Sequence, residues 1–177
     1  MAETMNIVLV GFMASGKSTV GKALADRLGW QFVDCDELVV GKAGRSIPEI
    51  FAGDGEEVFR DLETAVLDEL QGRQGTVIAT GGGIVTREAN WELMRRLGPV
   101  VFLRTAPEIL RQRLLAASGR PLADGMDWEA ILLRYRQRLP AYERADVTVD
   151  IEDEPPAMIV ERICTLLAGE VDRERDD

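Results

Sequence analysis

The sequence contains no histidine and only two cysteines, Cys35 and Cys164. Without His, and without a Cys-x-x-Cys spacing, a structural zinc site or a His-based nucleophilic triad has nothing to be built from. So few thiols suit a reducing cytoplasm, and disulfides are not expected to hold the fold. No apolar run approaches the roughly 20 residues of a membrane span. The opening Met1-Ala2-Glu3-Thr4-Met5 lacks the basic and apolar regions of a signal peptide. Positive charge is also scarce: 21 basic residues face 31 acidic ones, a formal net charge of −10. Such a balance disfavours nucleic acid or an anionic membrane as partner. It also makes the positions of the arginines informative, because an acidic chain that binds an anion must gather its cations locally.

The 177 residues suit one compact domain. Short apolar runs alternate with helical stretches. Ile7-Val8-Leu9-Val10, Gln31 to Asp34, Thr76 to Ala79, Val100 to Leu103 and Val147 to Val149 read as five strands. Helices are expected over Lys17 to Leu28, from a Ser46 cap with a Glu49 capping box, over Glu56 to Leu70, and from a Thr86 cap to Leu97. Further helices are expected from Pro107 to about Ala117, from Trp128 to Arg138, and from Pro155-Pro156 to near Ala168. Residues 118–127 carry Gly, Pro and charge without periodicity and read as a mobile loop. The charged tail 170–177 reads as disordered. Strands alternating with helices imply an α/β fold with a parallel sheet covered on both faces, whose ligands bind beyond the carboxyl ends of the strands.

Gly11 to Thr19 matches G-x-x-x-x-G-K-[ST] between a strand and a helix, the setting that motif requires. Its glycines let backbone N–H groups converge on phosphate oxygens, and the helix N-terminus adds partial positive charge. Lys17 can reach the β- and γ-phosphates, and the Ser18 hydroxyl can sit on Mg²⁺. No Asn-Lys-x-Asp guanine reader is present, so ATP is the expected nucleotide.

Other positions gain weight from that loop. Asp34-Cys35-Asp36 closes the second strand, where alternation would aim both carboxylates into the cleft. One could serve the Mg²⁺ sphere and the other could orient or deprotonate an attacking hydroxyl, although Asp-x-Asp alone suits a solvated turn equally well. Arg60 and Glu63, three apart, can pair along a helix. Gly81-Gly82-Gly83 follows the third strand, where bare backbone can approach a ligand. Arg120, in the unpatterned loop, could cover a transferring phosphoryl group. Arg134, Arg136 and Arg138 crowd one helix, and physical chemistry alone does not choose among them.

Together these residues carry a resemblance. Arg60-x-x-Glu63-x-x-x-Leu67, then Val77-Ile78-Ala79-Thr80-Gly81-Gly82-Gly83-Ile84-Val85, with the phosphate loop, Asp34-Cys35-Asp36, Arg120-Pro121-Leu122 and Arg138-x-Pro140-x-Tyr142, resemble the shikimate kinases from about Ile7 to Ala168. The resemblance implies a three-layer α/β/α, P-loop NTPase-like fold of the nucleoside-monophosphate-kinase type. It implies a single kinase domain over 1–169, with a substrate-binding segment at about 34–62 and a lid at about 118–127. The γ-phosphate of ATP would pass to the 3-hydroxyl of shikimate, within the pathway to chorismate and the aromatic amino acids.

Catalytic roles are implied for Lys17, Asp36 and Arg120. ATP binding is implied for Ala14, Ser15, Gly16, Lys17, Ser18, Thr19, Arg113 and Arg120, with Pro155 or Pro156 on the adenine side. Asp36, Arg60, Gly81, Gly82, Gly83 and Arg138 would bind substrate, with Glu63 holding Arg60. Ser18 and Asp34 would hold Mg²⁺. A cytoplasmic monomer is implied. The enzyme alternative is a gluconate-type carbohydrate kinase, and the non-enzyme alternative is a nucleotide-binding module without activity.

Overall fold

β-Branched and large apolar residues fill the central strands because these are covered on both sides. The computed structural model describes residues 5–118 and 127–176, without the side chains of 117, 118 and 170–176. Five parallel strands form one sheet: β1 (Ile7–Val10), β2 (Gln31–Asp34), β3 (Thr76–Ala79), β4 (Val100–Thr105) and β5 (Val147–Ile151), in the order β2-β3-β1-β4-β5. The helices are α1 (Lys17–Leu28), α2 (Cys35–Ala43), α3 (Ile47–Glu69), α4 (Glu88–Leu97), α5 (Pro107–Ser118), α6 (Trp128–Tyr142) and α7 (Pro156–Asp176).

Strand alternation divides the core in two. Val8, Val10, Ile78, Val100 and Phe102 pack on one face with residues from α2 to α6, among them Val39, Ile50, Leu67, Trp91 and Tyr142. Ile7, Leu9, Val77, Val101 and Val149 pack on the other with Leu24 of α1 and Ile163 of α7. The expected α/β/α layering is therefore present. Among the described residues, no helix is long and apolar enough to cross a membrane.

The register places the site. Ala79 pairs with Asp34 on one side and Leu9 on the other. The carboxyl ends of β2, β3 and β1 thus lie level, and the three segments that leave them start from one rim. Strand order also reverses about β1, which opens the crevice where ligands of such sheets bind.

Several boundaries differ from expectation. The second strand stops at Asp34, and Asp34 is the N-cap of α2, a helix the sequence reading missed; its side chain accepts from the Asp36 N–H. Strand alternation therefore does not govern the Asp34-Cys35-Asp36 segment. Thr86 does not cap α4. Its hydroxyl donates to the Gly83 carbonyl within a short 3-10 turn, Ile84–Thr86, and Arg87 occupies the cap position. α6 continues past Arg138 to Tyr142 with Pro140 inside it, so the helix runs on although Pro140 cannot donate the N–H bond to the Arg136 carbonyl. α7 runs to Asp176, not to Ala168: beyond Gly169 the tail holds no Gly or Pro, and its Glu and Arg residues favour helix. Two expected stretches, from Ser46 and from Glu56, are one element broken at Gly55, whose φ of 87° and ψ of 174° are not helical. Residues 119–126 of the expected lid, Arg120 among them, lie outside the described residues.

Candidate active site

The loop after β1 closes on itself through backbone geometry. Gly16 takes φ 96° and Ala14 φ 60°. A left-handed Ala costs about 1–3 kcal/mol and persists only where its surroundings hold it. Lys17 Nζ donates to the carbonyls of Gly11 (2.8 Å) and Phe12 (2.9 Å). Burial pulls its pKa down to about 8, against the opposing fields of Asp36 and Asp34 and with help from Arg138. Beside the loop, Ala14, Ser15, Gly16, Thr19, Arg113 and Pro156 line a cleft of about 400 Å³. Arg113 Nη1 donates to the Ala14 and Ser15 carbonyls at 3.2 and 3.1 Å. Pro156 lines this cleft and Pro155 does not: Pro156 is half-buried at the start of α7, whereas Pro155 is exposed.

The two carboxylates of the β2–α2 junction are divided between partners. Asp34 Oδ2 accepts from the Ser18 hydroxyl at 2.6 Å, and Oδ1 accepts from the Asp36 N–H at 3.0 Å. Cys35 between them is fully buried. Asp36 turns instead towards the segment after β3: a Cβ on Gly81 would lie 2.8 Å from its Oδ1. Burial and the Asp34 charge raise the Asp36 pKa, while Lys17 and Arg60 oppose the rise.

The glycine triplet is where the distant segments meet. Thr80 Oγ1 donates to the Leu9 carbonyl (2.9 Å), tying β3 to β1. Asn90 Nδ2 and Trp91 Nε1 donate to the Ile84 and Val85 carbonyls and so fix the turn that follows. A side chain at Gly81 would strike Glu63 Oε1, and one at Gly83 would fall on the Arg60 guanidinium. A Cβ at either position would force the buried Arg60–Glu63 pair to shift. The Gly82 carbonyl accepts from Arg138 Nη1 at 3.3 Å and from the Tyr142 hydroxyl. Arg138 and Tyr142 are one turn apart on α6, so the helix that runs through Pro140 delivers both.

Arg60 is 7% exposed and Glu63 fully buried. Nη1 of Arg60 donates to Glu63 Oε2 at 2.6 Å and Nη2 to Glu56 Oε1 at 2.9 Å. Burial raises the Glu63 pKa against the pull of Arg60. Burial likewise depresses the Arg138 pKa, aided by Arg60 and Arg134. The Arg138 guanidinium also lies over the Phe12 ring, 5.9 Å from its centroid. Arg60, Arg138, Asp36 and Lys17 therefore surround the triplet.

Two participants escaped the sequence reading. Glu56 stands one helical turn before Arg60, and that spacing is the signal that would have found it. The other is Tyr142, which closes the Arg138-x-Pro140-x-Tyr142 motif and donates its hydroxyl to the Gly82 carbonyl.

This convergence can be compared with known proteins. The Shikimate kinase family model matches residues 13–168. The chain belongs to the shikimate kinase family. The chain is 46% identical over 164 residues to the shikimate kinase of Synechococcus sp. strain CC9605, covering 92% of this chain and 82% of that one. The shikimate kinase of Thermodesulfovibrio yellowstonii is 39% identical over 159 residues, covering 89% and 92%. The structure of shikimate kinase from Acinetobacter baumannii in complex with shikimate superposes with a TM-score of 0.86 at 38% identity, covering 94% of each chain. A gluconokinase from Sinorhizobium meliloti gives 0.62 at 21% identity and covers 99% and 98%, a likeness of fold alone. Family membership makes the chain an ATP-dependent kinase with shikimate as acceptor, in agreement with the expectation from sequence.

Proposed function

We propose that the chain transfers the γ-phosphate of ATP to the 3-hydroxyl of shikimate, and that the residues around the triplet divide the work as follows. Arg60 and Arg138 bind the substrate carboxylate through charge-assisted hydrogen bonds. Asp36 accepts from the ring hydroxyls beside Gly81, Gly82 and Gly83. The new bond joins the hydroxyl oxygen to the γ-phosphorus, the β–γ bridging bond breaks, and the hydroxyl proton passes to Asp36 or to solvent. Burial raises the pKa of Asp36 and so suits it to take that proton. Lys17 neutralises charge on the transferring group from the loop, and Arg120 does so from the lid. Arg113 and Pro156 flank the adenine.

Ser18 and Asp34 would hold Mg²⁺. Their oxygens are 2.6 Å apart, and hard oxygen donors in small number suit an ion that keeps water and phosphate ligands. When bound, the ion neutralises charge between the β- and γ-phosphates. The reading takes the enzyme to be a cytoplasmic monomer.

One observation carries the proposal: two buried or half-buried arginines from α3 and α6 meet at the same three glycines that face Asp36. The test is ADP release with Mg-ATP and, in turn, shikimate, gluconate, AMP or no acceptor, with phosphorus NMR to place the phosphate. Shikimate-dependent release and a 3-phosphate product are expected. Turnover of gluconate without response to shikimate, or release independent of any acceptor, would overturn the reading.

A further inference from the structure

Arg60 carries two carboxylates of opposite character. Glu63, on Nη1, has a side chain 1% exposed; Glu56, on Nη2, has one 61% exposed. The first pair is walled in. The second lies open to water at the start of the helical stretch that follows Gly55.

Gly55 explains how Glu56 comes to be there. Its φ of 87° lies in the left-handed region, and no atom lies within 4 Å of where its Cβ would be. Backbone conformation, not space, therefore requires glycine, and the break sets Glu56 free of the preceding helical turn. Glu56 faces more than one cation. The hydrogen bond from Arg60 holds its carboxyl below the usual range, and the fields of Arg60, Arg138 and Arg134 act in the same direction. Two of those cations are the ones assigned to the substrate carboxylate.

We propose that Glu56 is an internal stand-in for the substrate carboxylate, bound to Arg60 through an exchangeable contact that shikimate must displace. The inference rests on the reading above that Arg60 binds that carboxylate. Only the Glu56 half of this pair is exposed, so Glu56 keeps the outer edge of a buried guanidinium satisfied while its own carboxylate can return to water when displaced. A ligand that engages Arg60 and Arg138 together displaces it, because two charge-assisted contacts outweigh one exposed one. A lone small anion can reach the same guanidinium groups but lacks the ring-hydroxyl contacts to Asp36 that add to the displacement. Glu56 thus sets substrate affinity and screens the cleft from anions that lack the ring hydroxyls.

The test uses the full chain with Glu56→Gln and Arg60→Lys, singly and combined, and thermal melting to verify folding. For Glu56→Gln, the KM for shikimate should fall at least roughly two- to five-fold, the range of an exposed pair, which a pair with one buried partner should meet or exceed. The effect should fall on KM and not on kcat. Sulfate and acetate, used as probe anions, should inhibit more strongly than in the parent. In the Arg60→Lys background the gain should shrink or vanish. A rise in KM on Glu56→Gln would mean that Glu56 holds Arg60 in position, and would overturn the exchange. An unchanged KM, or an equal gain in the Arg60→Lys background, would overturn it too. Arg60→Lys separates the two claims. If it raises the shikimate KM while Glu56→Gln does not lower it, only the exchange fails. If it leaves the KM untouched, the carboxylate assignment fails first.

Discussion

The two halves of the cleft are made in different ways. The half proposed to hold the nucleotide comes mainly from one stretch of chain, Gly11 to Thr19, and its geometry is largely backbone: left-handed Ala14 and Gly16, and a lysine folded onto two carbonyls. The half proposed to hold shikimate is assembled from side chains carried by α2, α3 and α6 around a bare turn after β3. The first half fails when one functional group is lost. The second depends on charges that contact one another around the buried Arg60–Glu63 pair, so a change in one member propagates to its neighbours.

Lys17→Ala should break the first half most severely. Removing a preorganised cation from a transferring phosphoryl group should lower kcat about 10³-fold or more, read by steady-state ADP release. The second half should fail by overlap. Gly83→Ala should lower kcat/KM for shikimate roughly 10- to 100-fold, because the new methyl falls on the Arg60 guanidinium. Gly82→Ala should be mild, since its nearest contact is the Met13 nitrogen at 3.4 Å. Equal effects at the two glycines would break the comparison. Glu63→Ala should leave Arg60 buried without its inner partner. A stability loss of roughly 3–5 kcal/mol by denaturant titration and a raised shikimate KM are expected.

A pH series separates the halves further. Burial brings Lys17 from 10.5 down to about 8, so activity that needs the ammonium should decline as pH rises through about 8, seen in kcat/KM for Mg-ATP. Stability moves in the opposite sense. Between about 8 and 10.5 the unfolded chain holds a proton the folded one has released, so this group makes stability rise with pH. Below that window the cost of burying the charge is fully present. The smallest effect is expected outside both halves: Arg27→Ala breaks an exposed pair with Glu161, and the melting temperature should stay within experimental scatter.

How much of this was legible in the sequence follows from locality. The phosphate loop and the strand before it are contiguous, so pattern and context appear in one reading. The sheet and its two covered faces follow from apolar runs. Arg60 with Glu63, and the triplet, were visible as residues, but their meeting depends on register, which pairs Asp34 and Leu9 with Ala79. The start of α2 was missed because Asp34-Cys35-Asp36 continues a strand pattern. Asp34 with Glu37 three residues on resembles a capping box, and that cue was present. α6 was expected to end at Arg138 and runs four residues further, through Pro140 to Tyr142. Charge in the tail was read as disorder, although Glu and Arg are good helix formers when no Gly or Pro intervenes.

The division of the cleft is tested most directly by calorimetric titration of Arg138→Ala with shikimate and with Mg-ATP in separate experiments. Shikimate binding should weaken at least tenfold, because a desolvated charge-assisted contact is lost, while Mg-ATP affinity stays within about two-fold. Weakened Mg-ATP binding with shikimate affinity retained would contradict the account, since Arg138 would then belong to the nucleotide half.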